Sequence, residues 1–114
     1  DQTIPEMMPY SVSCAALNQM TRSLAVAFAN DGIRVNAISL GSIMSSSLRL
    51  SLHSNPELQD SIIDATPLGY IAEPEEVADL ALFLSSNSAS FLTGQVITID
   101  GGRSILNKLE KPAY

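Results

Sequence analysis

Little cysteine, little histidine and few cations narrow what this chain can do. It has one cysteine, Cys14, so no disulfide can close within it, and one histidine, His53, so no histidine cluster is available to a metal. Lys and Arg number 6 against 12 Asp and Glu, for a net charge of −6. Those cations stand singly, without the basic patch that reads nucleic acid or anionic lipid. No apolar run approaches the roughly 20 residues of a membrane-spanning helix, and no signal peptide is visible. A cytoplasmic location is therefore expected, with neither nucleic acid nor membrane as a partner. The chain opens on Asp1, which is the start expected of a processed or excised segment.

What is present is core-forming material. Hydrophobic residues make up 46% of the 114 and charged residues only 16%, enough apolar surface for one domain or part of one and too little charge for long disordered tracts. After an irregular lead-in, Leu17, Met20, Leu24 and Phe28 recur at spacings of three and four, predicting a helix over 10–30. Ala15, Ala16, Ala25 and Ala27 among them would let a neighbour approach closely. Asn30-Asp31-Gly32 stops the helix, with Gly32 suited to a left-handed cap. The run 33–39 predicts a strand, and its apolar residues on both sides suggest one covered on both faces.

Residues 41–54 form a Ser- and Leu-rich loop, with a short helix over 48–53. Asn55-Pro56-Glu57 opens a helix to about Ala65, and Thr66-Pro67-Leu68-Gly69 breaks it. Glu73-Pro74-Glu75-Glu76 opens another, with Val77, Leu80, Ala81 and Leu84 as its buried stripe and carboxylates at the positive end of its dipole. Ser85 to Ser90 is a polar loop, Val96 to Ile99 a strand, and Asp100-Gly101-Gly102 the turn that ends it. The order helix–strand–helix–helix–strand makes one crossover between two parallel strands. Two strands cannot cover every apolar helix face, so this pattern is half of an α/β domain.

Tyr10 and Cys14 carry the chemical interest. A tyrosine followed four residues later by a lysine at a helix start sets an ammonium beside a phenol, whose ordinary pKa is about 10, and favours the phenolate that exchanges protons near neutrality. Here the frame Tyr10-Ser11-Val12-Ser13 is followed by Cys14 where that lysine would stand. A thiol supplies no cation, although a thiolate is favoured in the first turns of a helix. His53 has no partner at ligand spacing and reads as a solvated loop residue. Ser45-Ser46-Ser47 lacks the His–Asp pair that would activate a hydroxyl.

Three ordered segments resemble the short-chain dehydrogenase/reductase family. They are Tyr10-Ser11-Val12-Ser13 with Ala15-Ala16-Leu17, then Ile33-Arg34-Val35-Asn36-Ala37-Ile38-Ser39 ahead of a glycine, then Gly94-Gln95-Val96-Ile97-Thr98-Ile99-Asp100-Gly101-Gly102. Pro67-Leu68-Gly69 and Glu73-Pro74-Glu75-Glu76-Val77-Ala78 lie between the last two. The resemblance implies an α/β fold, the C-terminal half of a Rossmann-type doubly wound parallel sheet, with residues 1–114 as a single partial domain. It also implies NAD or NADP as cofactor and hydride transfer at an alcohol or carbonyl carbon. By it, Tyr10 matches the catalytic tyrosine, with Cys14 at the lysine position. Gly41, Ile43 and Ser45 match the segment beside the nicotinamide, where Ile43 would offer backbone groups to the carboxamide and Ser45 stands for a threonine. Leu40 replaces a proline, and Tyr70 sits where related chains often carry arginine.

No Gly-x-Gly-x-x-Gly occurs among the 114 residues, and only nine residues precede Tyr10, too few to include the family's catalytic serine. Three readings follow. The chain is a catalytically inactive remnant, or one piece of a cleaved enzyme completed by an N-terminal complementing segment, or a non-catalytic interaction module. A homo-oligomer is expected in each, built through Leu17, Met20, Leu24 and Phe28 or through Leu80, Leu84 and Ile97.

Overall fold

A computed structural model gives the fold of residues 8–105, with side chains described from residue 12 onward. Helix α1 (Met8–Phe28) ends in a 3-10 turn (Ala29–Asp31), and strand β1 (Ala37–Leu40) follows. Helices α2 (Ser46–Ser54), α3 (Glu57–Asp64) and α4 (Pro74–Ser85) come next, then a 3-10 turn (Asn87–Ala89) and strand β2 (Val96–Ile99). The sheet is the pair β1–β2. Ala37 N–H bonds Gln95 C=O at 2.8 Å and Gly41 N–H bonds Ile99 C=O at 3.0 Å. Both strands advance four residues between those rungs, which makes them parallel. The α/β class with parallel strands and helical crossover is as expected, with α2 longer than the short helix foreseen.

Among the described residues two compact units can be distinguished, one of Leu40–Asp79 with 98–105, the other of 8–39 with Leu80–Ile97. The first has its core at Leu52, Ile62 and Ile71, flanked by Met44, Leu48, Leu58 and Ile63. Helix α2 starts where Ser45 Oγ accepts Leu48 N–H at 3.1 Å, satisfying one of the helix's orphan donors. Pro56, with φ of −61°, is preset for the start of α3. Helix α4 begins with a reciprocal cap: Glu76 Oε2 takes Glu73 N–H at 2.9 Å while Glu76 N–H bonds Glu73 C=O at 3.0 Å.

The second unit departs from the sequence reading in instructive ways. The strand begins at Ala37 rather than Ile33, because side chains take over part of the pairing of the preceding residues, although Val35 C=O still accepts Gly94 N–H at 2.7 Å. Val35 N–H goes to Thr93 Oγ1 at 3.1 Å, and Gln95 N–H goes to Asn36 Oδ1 at 3.0 Å. Arg34 adds bonds to the carbonyls of Leu92 and Ser86, at 3.3 and 3.2 Å. Gly32 ends the first helical segment at φ 74°, the left-handed conformation its position suggested.

Burial also corrects the pattern. On α1 the buried residues among those described are Thr21 and Ala25, while Leu17, Met20, Leu24 and Phe28, the expected subunit contact, are 38–52% exposed. Small residues win there because the neighbour is close: a β-carbon on Gly94 would lie 3.4 Å from that of Ala25. Ile33 and Leu40 are about half exposed, at 49% and 50%, so the β1 segment is not covered on both faces among the described residues. On α4 only Leu84 of the expected stripe is fully buried, while Ala81 is exposed and Val77 and Leu80 are half-buried. Leu84, at 8% exposure, is thus committed to the chain's own interior and cannot serve the subunit contact expected of it. The loop expected over 85–90 instead contains a 3-10 turn that buries Ala89 to 1%.

Candidate functional site

In open α/β sheets ligands bind in the crevice beyond the carboxyl ends of the strands, because backbone groups and loop residues are left free there. This chain has such a crevice within its first unit. A cavity of about 140 Å³ is lined by Ser42 and Ile43 after β1 and by Ile99, Asp100 and Gly101 at the end of β2. Thr66, Leu68, Tyr70, Ala72 and Glu76 complete its wall.

Gly41, just before the lining residues Ser42 and Ile43, has a packing requirement of its own. A β-carbon there would stand 2.7 Å from Asp100 Cβ and 2.8 Å from Asp100 Cα, closer than atoms can sit. The two strand ends can approach only because residue 41 has no side chain. Ile43 forms an isolated parallel bridge with Ala72. The bridge is carried by Met44 N–H on Ala72 C=O at 2.8 Å. In such a bridge the neighbouring residues make the bonds, so the N–H and C=O of Ile43 itself face the opposite way. The Ile43 carbonyl there accepts Ser45 N–H at 2.8 Å. Ser45 keeps its hydroxyl proton for donation while its oxygen caps α2.

Asp100 holds the far side. Partial burial pushes its carboxyl up, but bonds from the Ser104 hydroxyl and N–H and from Gly102 N–H outweigh that and leave its pKa below the ordinary value. Gly102 N–H lies 2.9 Å from Oδ1 and Ser104 N–H 3.0 Å from Oδ2. The turn at 100–102 is followed by a helical turn at 103–105, a helix start that the sequence pattern did not suggest. Across the cavity Tyr70 donates its phenol to Glu76 Oε1 at 2.9 Å, and that bond, then the Glu76 charge, raises the Tyr70 pKa.

The other sequence-predicted residues lie on α1. The main chain of Tyr10 is helical, and its side chain lies outside the described residues. Cys14 is a free, half-buried thiol one helical turn on, a spacing that sets both positions on one helix face. His53 is exposed in the last turn of α2 rather than on a loop. Ile43 lines the crevice, Gly41 packs against Asp100 at the strand ends, and Ser45 follows as the α2 cap. Sequence reasoning missed Asp100, Thr66 and Glu76 as wall residues. The Glu73-Pro74-Glu75-Glu76 spacing, which carries a capping signature, was the available signal for the last of them.

Fold and crevice together define the C-terminal half of a Rossmann-type α/β sheet. The family profile described as Enoyl-(Acyl carrier protein) reductase matches residues 1–104. The chain is 41% identical over 96 residues to galactitol 2-dehydrogenase (L-tagatose-forming) of Cereibacter sphaeroides, covering 84% of this chain and 37% of that protein. Among solved structures it resembles a short chain dehydrogenase family protein from Francisella tularensis, with a TM-score of 0.78, 35% identity, and coverage of 90% of this chain and 46% of that one. It likewise resembles a 3-oxoacyl-[acyl-carrier protein] reductase with bound NAD from Brucella melitensis, at TM-score 0.69 and 34% identity over 82% of this chain and 32% of that one. The chain belongs to the short-chain dehydrogenase/reductase family, whose members are oxidoreductases. It spans 32–46% of the length of these relatives.

Proposed function

We propose that this chain is the substrate-side half of an NAD(P)-dependent oxidoreductase acting on an alcohol or carbonyl compound, and that by itself it does not turn over. The observation that carries this is the crevice at the carboxyl ends of β1 and β2, walled by the segment that in this family faces the nicotinamide. The residues present fit that end of the cofactor: Gly41 permits the close approach, Ile43 turns its main-chain edge away from the Ala72 bridge, and Ser45 keeps a donor proton. When bound, the nicotinamide supplies or accepts the hydride. Tyr10 would pass the proton to or from the substrate oxygen. Cys14 would leave its phenol without the ammonium that favours the phenolate, and general acid–base help typically worth about 10²–10⁴-fold would be largely lost.

The 114 residues contain no phosphate-cradling glycine loop, so pyrophosphate and adenine would need an N-terminal complementing segment. All of residues 1–114 would then belong to one Rossmann domain in the completed protein. Titration of the chain with NADH or NADPH, followed by fluorescence, should show a dissociation constant no tighter than about 1 mM, roughly 4 kcal/mol of binding. Micromolar affinity would overturn the proposal for the isolated chain. Fusing the nucleotide-binding half of a related dehydrogenase ahead of residue 1 tests the other part. Turnover should then stay low until Cys14→Lys is introduced.

A homo-oligomeric state is the second reading, favoured by the exposure of Leu17, Met20, Leu24 and Phe28 on α1. It would hold with or without chemistry at the crevice. An interaction role alone predicts that Cys14→Lys changes neither nucleotide binding nor activity in the fused protein.

A further inference from the structure

Tyr70, Ala72 and Glu76 share the crevice wall with Ser42 and Ile43. Tyr70 Oη donates to Glu76 Oε1 at 2.9 Å, and the other carboxylate oxygen takes Glu73 N–H at 2.9 Å. Between those two anchors lies Ala72, whose carbonyl holds Met44 N–H at 2.8 Å and which bridges Ile43. One carboxylate therefore fixes both ends of the 70–73 segment. Ile71, 8% exposed, pins the middle of that segment into the core with Leu52 and Ile62. Tyr70 is itself 49% exposed, so its ring contributes little burial, and its main tie is the charge-assisted bond to Glu76.

We propose that Tyr70 is a positioning residue: through Glu76 its hydroxyl holds the 70–73 segment, and thereby sets the main-chain edge of Ile43 at the crevice. This rests on the proposed function only in treating that edge as a nicotinamide contact. The mechanical link is a property of the chain by itself, so its test does not depend on nucleotide binding. Tyr70→Phe removes the donor and keeps the ring. Tyr70→Arg replaces one donor by another that can reach the same carboxylate.

Amide hydrogen exchange of the 114-residue chain reads the link directly. Gly94 N–H, held by Val35 C=O at 2.7 Å in the other unit, reports global opening. Relative to Gly94, Tyr70→Phe should speed exchange at Met44 and Glu73 by about three- to tenfold, the usual worth of one such bond. Tyr70→Arg should restore the slow rates. Unchanged exchange at Met44 in Tyr70→Phe would overturn the proposal. So would equal acceleration at Met44 and Gly94, or a failure of Tyr70→Arg to restore protection.

Discussion

Gly41 and Asp100 face each other across the carboxyl ends of the two strands so closely that a methyl group on residue 41 would overlap the main chain of residue 100, 2.8 Å from its Cα. The obstacle is backbone rather than a side-chain tip, so rotation cannot relieve it. Gly41→Ala should therefore destabilise the fold by about 1–3 kcal/mol, the range for forcing an extra methyl into a filled space. Urea unfolding checks it. A midpoint equal to that of the parent would mean the strand ends can part without cost.

Asp100 ties the same region to acid stability. Its folded pKa lies below the ordinary value, the net result of burial pushing it up and of the Ser104 and Gly102 bonds pulling it down further. A depressed carboxyl contributes stability that is present above its unfolded pKa, near 3.9, and lost as pH falls through the folded value. Asp100→Asn should thus be less stable than the parent at pH 7, with the gap closing below about pH 4. Parallel stability curves from pH 7 to pH 3 would contradict it.

The alkaline limb has the opposite sign. Tyr70 titrates above the ordinary tyrosine value, first because its phenol donates to Glu76 and second because that carboxylate repels the phenolate. Its contribution is fully present below the unfolded pKa of about 10 and lost as pH rises through the folded one. In an ultraviolet titration of the phenols, Tyr70→Phe should delete a step above about pH 10. The same substitution should erase the part of the alkaline stability loss that this pair causes.

How much could be read from the sequence is clearest at Gly41 and at Asn36. The run ending in Ser39 located the strand, and the family resemblance marked Gly41, Ile43 and Ser45 as the segment beside the cofactor, without saying why residue 41 is a glycine. The reason for the glycine, Asp100, lies 59 positions away in sequence, and no local pattern reports a contact of that range. The strand's beginning was misplaced at Ile33 because apolar alternation does not reveal that Asn36 and Thr93 side chains replace backbone partners. On α1 the spacing located the helix but did not say which face lies inside. Leu17, Met20, Leu24 and Phe28 have helical periodicity, but the side chains buried among the described residues of α1 are Thr21 and Ala25, the latter in the narrow space beside Gly94. Periodicity identifies the helix, and residue size decides which face goes in.

That outward stripe bears on assembly. Leu17, Met20, Leu24 and Phe28 follow one another at three and four residues, so they share a face of α1, and each is 38–52% exposed. A contiguous apolar surface of this kind is more stable covered, and a second copy of the same helix offers a complementary face. Because these side chains protrude, replacing Met20 and Leu24 by glutamate should alter the folding of a single chain only slightly, within about 0.5 kcal/mol per site. It should instead weaken association. Light scattering of the parent at micromolar concentration is expected to report a mass above the 12.1 kDa of one chain, falling towards that value in Met20→Glu/Leu24→Glu with the helical circular dichroism unchanged. A parent that is well folded at the mass of a single chain would refute the association.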